Sequence, residues 1–500
     1  MGVIKNLNDS RSIRKKKFDD MKKKTKFAGH VYILGCGNMG TIMAYTIDLI
    51  LDMPLTNITI FDKEDYRYKI MPLIRRGVTY KKVEIKAHNY KDVLGKLTLG
   101  DILVDCTYCI ATIDLLKYCQ ERGAGYINSS IEDWDDDSAE DCVEFTMKRR
   151  VEELDKMNAE FKKKGLNYNA IISMGCNPGN VSIWTKKGLE EIYKFYNKNF
   201  EYKTFADLAQ KLKVNTIHIA EKDTQKTVDP RKEDEYCNTW SSHGESWFSE
   251  ASAPVEISWG THEKVIPEEM KPAIDPYKND NYMVFNKRCF SSYAQSYTPI
   301  SKNYVGMLVA HEENFTIARE LTVYDKDKIV YKPSVYYVYH PCDSTMNATY
   351  EVKEKNNKWH DKVRLLTDDI ERGRDELGMC FFLENGNIFW IGSILDINEA
   401  RDLFDNKINE YLNATNVQVV GGYFSGFMYL VELANNKMFR GLMCPDELPH
   451  EKIWEISSPF LGPFIFMQVE DWVPHSYKDE YLQETKRDKN WQFYNFLVKM

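Results

Sequence analysis

A doubly wound parallel α/β sheet followed by a second, α+β domain is the fold the sequence predicts, on three observations. The apolar stretch Val31-Tyr-Ile-Leu runs straight into Gly35-Cys-Gly37-Asn38-Met39-Gly40, and a helix-compatible run over 41–51 follows. A second strand-like run over 57–62 ends in an acid, Asp62, 22 residues past Gly40. From residue 30 to about 130, strand and helix patterns alternate, as a parallel sheet with crossover helices requires.

Each element of the first domain has its own reason. Strand, glycine turn and helix in that order let backbone amides and a helix N-terminus face a pyrophosphate, the physical basis of the Rossmann-type dinucleotide site. Asp62 at the next strand end can accept both ribose hydroxyls and would repel a 2′-phosphate, which favours NAD over NADP. Further strands are expected at 83–87, 102–105 and 125–128. The run Ile102-Leu-Val-Asp105 is nearly continuous in apolar character, as in a strand covered on both faces. Its end, with Thr107, and the segment Ser129-Ser-Ile-Glu132 should reach the crevice where such sheets bind ligands.

Organisation follows from composition. Residues 1–29 form a basic head, read as a disordered N-terminal extension; residues 30–165 form the NAD-binding domain, closed by the charged run Lys162-Lys-Lys-Gly165. Residues 166–412 mix strand-like runs with loops rich in Trp, Ser and Gly, an α+β substrate domain. In the helical segment 413–500, residues 417–433 read as a buried helix, its glycines at 421, 422 and 426 permitting close packing.

Bulk properties exclude several classes. The net charge of −8 hides an asymmetry, because residues 1–30 hold ten Lys or Arg against three Asp and leave the rest at about −15. An acidic body disfavours nucleic acid and suits cationic substrates such as amines. The head, with Arg14-Lys-Lys-Lys17 and Lys22-Lys-Lys24, reads as a solvated, frayed terminus rather than a targeting tail. No apolar run argues for a membrane span, and no secretory signal pattern is visible. Eleven scattered cysteines, without such a signal, fit free thiols in a cytoplasmic, reducing compartment, and the lone Cys106-x-x-Cys109 does not make a zinc site. No metal is expected.

Several clusters downstream are richer than packing requires. Asn177, in Gly175-Cys-Asn-Pro-Gly179, sits on a turn after an apolar strand, where its amide could orient a substrate nitrogen or a nicotinamide, or serve the turn alone. Ile217-His-Ile-Ala-Glu221-Lys-Asp223 places acids after a strand, and Trp240, Trp247 and Glu250 follow within a short span. Ser258-Trp-Gly-Thr-His262-Glu263 adds another indole beside a carboxylate. A Trp face next to carboxylates is what recognition of an ammonium group calls for, the ring contributing roughly 0.5–2 kcal/mol. His311 is the best single candidate for proton transfer, since its ordinary pKa lies near neutrality.

These stretches together resemble the bacterial-type homospermidine synthases of the saccharopine dehydrogenase-like superfamily. The matching blocks are the glycine turn, Ile131-Glu132-Asp-Trp134, GCNPGNVS, IHIAEKDTQ, CNTWS, SEASAPVEISWGTHE, VAHEE, YHPCD, RDELG, Trp390-Ile-Gly-Ser and Pro445-Asp-Glu-Leu-Pro, in order from residue 30 to about 475. The resemblance implies tightly held NAD, putrescine as substrate and a homodimer, and leaves open whether spermidine also donates an aminobutyl group. It implies oxidation of one putrescine, exchange of ammonia for a second, and reduction to homospermidine. By residue match, Trp240 would meet the cationic amine or imine, and Glu221 and Glu250 would anchor ammonium groups; Glu245 is the alternative to Glu250. Asn177, Glu132, His311 and Asp375 would line the site. Rival readings are a saccharopine- or carboxyspermidine-type dehydrogenase, which would want Arg or Lys in its pocket, and a silent NAD-sensing protein.

Overall fold

The computed structural model describes residues 4–134, 146–242, 250–268, 270–272, 281–356, 358–470, 472–474 and 490–498. Two sheets organise it. The first is seven-stranded and parallel throughout, in the spatial order Gly441–Met443, Asn169–Ile171, Gly125–Asn128, Ile102–Asp105, Val31–Leu34, Ile58–Asp62, Thr79–Lys82. Strands Val31–Leu34 and Ile102–Asp105 are buried at every position, which accounts for their unbroken apolar character.

Two details differ from the sequence reading. The strand expected at 83–87 lies at Thr79–Lys82 instead. The alternation Val-Glu-Ile-Lys has strand period, but its partner strand ends at Asp62, which pairs with Lys82, so no ladder is left for it. The sheet also does not end with the charged run at 162–165. It takes two more strands, Asn169–Ile171 and Gly441–Met443, from beyond that point.

The second sheet has eleven strands. Its path runs Ile4–Asn6, Phe464–Val469, Ile388–Asp396, Arg374–Leu383, Val214–Asp223, Ser334–His340, Lys302–Val309, Tyr293–Thr298, Leu497–Val498, with Pro254–Ser258 and Tyr282–Arg288 attached. Val214–Asp223 and Ser334–His340 run parallel, and the remaining pairings in this sheet are antiparallel.

Helix Ala414–Asn435 lies between the two sheets. It is long and apolar enough to cross a membrane, yet 83% of its most apolar window is buried inside the protein. An Asn413–Asn416 capping box starts it. A Cβ on Gly422 would stand 1.8 Å from the Gly175 carbonyl oxygen, so glycine there permits the helix to touch the turn that carries Asn177. On the same helix, the Tyr423 hydroxyl donates to the carbonyls of Asp105 (2.7 Å) and Ile127 (3.0 Å), and the Gln418 amide donates to Asp375 (2.9 Å).

The basic head is not frayed. Ile4–Asn6 pairs with Ile465–Met467 on the edge of the large sheet, helix Arg11–Met21 follows, and Thr25–Lys26 pairs with Leu51–Asp52 just past the glycine-turn helix. Phe18 is fully buried, edge-on to Phe404 (5.5 Å) and Phe460 (5.2 Å). Arg14 meets Glu399 at 2.7 Å, Lys15 meets Asp405 at 2.8 Å, and the Lys23 ammonium caps the Leu51 carbonyl at 2.7 Å. The charge pattern suggested a tail because the acids that answer it lie hundreds of residues away.

Candidate functional site

The dinucleotide end follows from three glycines. Gly35 has φ +85°, which favours glycine, and a Cβ there would sit 2.7 Å from the Cys106 carbonyl oxygen. A Cβ on Gly40 would lie 1.9 Å from the Gly35 carbonyl oxygen, so helix Asn38–Ile50 packs directly on its own turn. Gly37, by contrast, has only the Ser242 hydroxyl within reach of a Cβ, at 3.4 Å, so its surface is open for a ligand's close approach. Asp62 faces this turn: one carboxylate oxygen accepts from the Cys36 amide (2.5 Å), the other from the Glu64 amide (2.8 Å).

The other expected residues lie around the same turn. The Asn38 amide donates to the Tyr411 carbonyl (2.7 Å), so its side chain docks the helix and its backbone is what remains for a ligand. Met39 packs half-buried against the core. The Thr107 methyl approaches Gly35, and its hydroxyl donates to Asp105 at 2.5 Å. Burial pushes the Asp105 carboxyl up to about 6, against the bonds from Thr107 and Tyr126. Glycine turn, helix start and a strand-end acid are the donor set a dinucleotide needs, and the residues present fit it.

A short way across, the structure gathers acids. Glu221 accepts from the Asn177 amide (2.8 Å) and from the Tyr337 hydroxyl on the same oxygen. Burial pushes the Glu221 carboxyl up to about 7 despite those bonds. Asp223, two residues along the strand, accepts from Gln225 (2.8 Å) and Thr239 (2.7 Å), and burial lifts it to about 6. Asp375 pairs in register with Asp223, and burial, Glu221 and Asp223 together hold it well above the carboxylate range. Among the described residues, no Lys or Arg forms an ion pair with these three acids.

His311 stands beside them. Its Nδ1 lies 3.1 Å from Glu313 and its Nε2 3.9 Å from Glu250, while its ring rests 4.9 Å from Tyr337. Burial opposes charge on this ring, but the two carboxylates outweigh it and hold the imidazole well above its ordinary pKa. Glu132 accepts from the Ser130 hydroxyl (2.7 Å); burial raises it to about 7, with Glu312 and Glu250 adding repulsion. Trp240 meets Tyr339 edge-on at 5.6 Å, and Tyr339 stacks on Tyr337 at 5.5 Å. The segment just past Trp240 reaches the glycine turn through Ser242, so aromatic wall and dinucleotide turn adjoin.

Trp240, Glu250, Glu221, His311, Asn177, Glu132 and Asp375 lie in one neighbourhood; Glu245 and Trp247 lie outside the described residues. Sequence reasoning missed Tyr337, Tyr339, Glu313 and Gln418 and left Asp223 unweighted. Period two was the available signal: Glu221 and Asp223 lie on one face of their strand, and Tyr337 and Tyr339 lie on the same sheet face of its parallel neighbour. The His262-Glu263 pair is a correction in the other direction. It pins the C-terminal segment: His262 lies 3.1 Å from the Trp491 carbonyl, and Glu263 accepts from the Phe493 amide (2.9 Å) and Ser334 (2.7 Å). Its carboxylate is spent on backbone and on Ser334.

Comparison with known proteins agrees with this geometry. Residues 31–168 match the family described as saccharopine dehydrogenase NADP binding domain. Homospermidine synthases of Mesorhizobium japonicum and Blastochloris viridis are each 28% identical over 487 residues, covering 95% and 94% of this chain and 97% and 98% of theirs. The crystal structure of a Legionella pneumophila homospermidine synthase in complex with NAD superposes with a TM-score of 0.82 at 29% identity, covering 96% of this chain and 99% of that one. The chain is similar to homospermidine synthases over about 95% of its length. These matches span both the dinucleotide half and the acid-rich half of the chain.

Proposed function

We propose that the chain is a homospermidine synthase that uses NAD to convert two putrescines into homospermidine and ammonia. The observation that carries this reading is the buried acid cluster Glu221–Asp223–Asp375, walled by aromatics, free of Lys or Arg ion pairs among the described residues, and adjoining the dinucleotide turn. Such a cluster suits a diamine. A carboxylate-bearing substrate of the saccharopine or carboxyspermidine type would call for a cation there.

NAD, held by Gly35, Gly37, Asn38, Met39, Gly40, Asp62, Thr107 and the Asn177 turn, supplies a hydride acceptor and later a donor. Asp62 favours the unphosphorylated ribose. The protein's part is charge, orientation and protons. Hydride can leave only from a neutral amine, so an ammonium with a pKa near 10 must first lose a proton. Glu221, raised to about 7, is poised to take it, with Asn177 orienting the carboxylate. Glu250 and Asp375 anchor ammonium ends, and the Trp240 face stabilises the cationic carbon–nitrogen centre. His311, held charged by Glu313 and Glu250, returns a proton to the departing amine. Glu132 closes the acidic wall. Two putrescines enter, homospermidine and ammonia leave, and no net reductant is consumed. The assembly is a homodimer, and the enzyme works in the cytoplasm.

Incubating the purified protein with putrescine and NAD+ tests the reading. Homospermidine and ammonia in equal amounts without net NADH support it. NADH accumulating with another amine, and no homospermidine, overturns it in favour of a plain amine dehydrogenase; bound NAD with no turnover favours a sensor.

A further inference from the structure

One side chain joins the two proton-handling groups and belongs to neither. Tyr337 sits mid-strand in Ser334–His340, beside Val214–Asp223. The parallel register pairs Tyr337 with Ile219 and Tyr339 with Glu221, so Tyr337 and Glu221 are diagonal neighbours on one sheet face. The Tyr337 hydroxyl donates to the Glu221 oxygen that also receives the Asn177 amide. The same ring covers His311 at 4.9 Å and stacks on Tyr339 at 5.5 Å with 17° between planes. No other described side chain both hydrogen-bonds the carboxylate and packs on the imidazole.

We propose that Tyr337 is a positioning residue that binds Glu221 and His311 into one unit, its hydroxyl fixing the carboxylate and its ring fixing the imidazole. The inference rests on the functional reading above for what those two groups do. Tyr337 does not itself shuttle a proton, because burial and the neighbouring Glu221 push its pKa well above the ordinary value, so the hydroxyl stays protonated and donates to Glu221. The groups facing Glu221 are Asp223 on its own strand, Tyr337 and Tyr339 on the parallel neighbour, and Asp375 on the antiparallel one. Tyr304, Asn177, Cys176 and His311 face it from the surrounding elements. Against these two neighbouring acids, each hydrogen bond donated to Glu221 helps keep it ionised. Glu313, Glu250 and Glu312 face His311, and the Tyr337 ring packs against the imidazole they flank.

The test uses the full-length protein with Tyr337→Phe and Tyr337→Leu. Tyr337→Phe removes only the hydroxyl. The acid limb of its pH–rate profile should move upward by about 0.5–1 pH unit, because a carboxylate losing a donor is harder to ionise. Turnover at neutral pH should fall about tenfold or more while KM for putrescine changes by less than about threefold. Titration of His311, followed by NMR on 13C-labelled histidine with His311→Gln for assignment, should match wild type in Tyr337→Phe and shift in Tyr337→Leu. A Tyr337→Phe profile that superposes on wild type overturns the hydroxyl's role; an unmoved His311 titration in Tyr337→Leu overturns the ring's. If wild type makes no homospermidine, the functional reading fails, while the NMR comparison still decides whether the ring holds the imidazole.

Discussion

Replacing Phe18 with Ala tests whether the basic head is a docked arm or a tail. The ring is wholly buried between Phe404 and Phe460, so truncation loses its burial and leaves a cavity, about 3–5 kcal/mol for such a site. The ion pairs around it are a weaker hold. Lys15 and Asp405 are 26% and 41% exposed, and pairs of that kind contribute roughly 0–1 kcal/mol and are screened by salt. The apolar anchor therefore decides the arm's stability. At about 1.4 kcal/mol per factor of ten, the detached population should rise roughly a hundredfold to a few thousandfold. The arm offers trypsin Lys and Arg sites from Arg11 to Lys26, and cleavage tracks the open population when reclosing is fast. Intact-mass analysis after brief digestion should show the variant clipped in this segment while the rest survives. High salt should speed clipping of wild type only severalfold, by roughly the worth of the screened pairs. Clipping of wild type and Phe18→Ala at the same rate would refute the reasoning.

Gly40→Ala should lower NAD affinity by about a hundredfold in calorimetry, because the new methyl would stand 1.9 Å from the Gly35 carbonyl and must displace the turn; retained affinity means the turn does not set the site. Glu221→Gln keeps the shape and removes the base, so turnover should fall by about 10²–10⁴ with the thermal midpoint little changed, and a smaller loss in steady-state assays moves the base elsewhere. His218 is buried among Tyr336, Phe382 and Phe496, and burial lowers its pKa below the ordinary value. The unfolded chain then binds the extra proton as pH falls below about 6.5, so stability present above that pH is lost on acidification. His218→Phe should flatten this acid-side decline in urea midpoints relative to wild type, and parallel curves for the two proteins would exclude the effect.

The dinucleotide half was legible because its evidence is local. Strand, Gly35 to Gly40 and helix are contiguous, and Asp62 lies one crossover away, so spacing alone places them. The acid cluster was legible only through resemblance. Glu221, Asp223, Asp375, Asn177, Glu132 and Glu250 come from segments scattered from residue 130 to 375, and nothing in local periodicity says that Asp375 will pair with Asp223. Tyr337 and Tyr339 were hidden for a different reason. In a run reading Ser-Val-Tyr-Tyr-Val-Tyr-His, aromatic core and aromatic site wall look alike until the register sets Tyr339 beside Glu221. The head misled because Phe18 is one apolar residue among basic residues, of which Arg11, Arg14 and Lys15 find partners distant in sequence at Asp402, Glu399 and Asp405.

The parallel sheet of the dinucleotide half has a consequence for how the protein comes into being. Its edge is closed by Asn169–Ile171 and then by Gly441–Met443, and Ala414–Asn435 seals it through Tyr423. A nascent chain released as far as residue 168 holds the glycine turn and Asp62 but lacks the two strands that extend the sheet past Gly125–Asn128 and the helix that packs on it. Completion waits for some 275 further residues, which at typical synthesis rates is on the order of 15–55 s. The cofactor site, first in the sequence, is among the last parts to close, and its apolar edge strands spend that interval exposed on the growing chain.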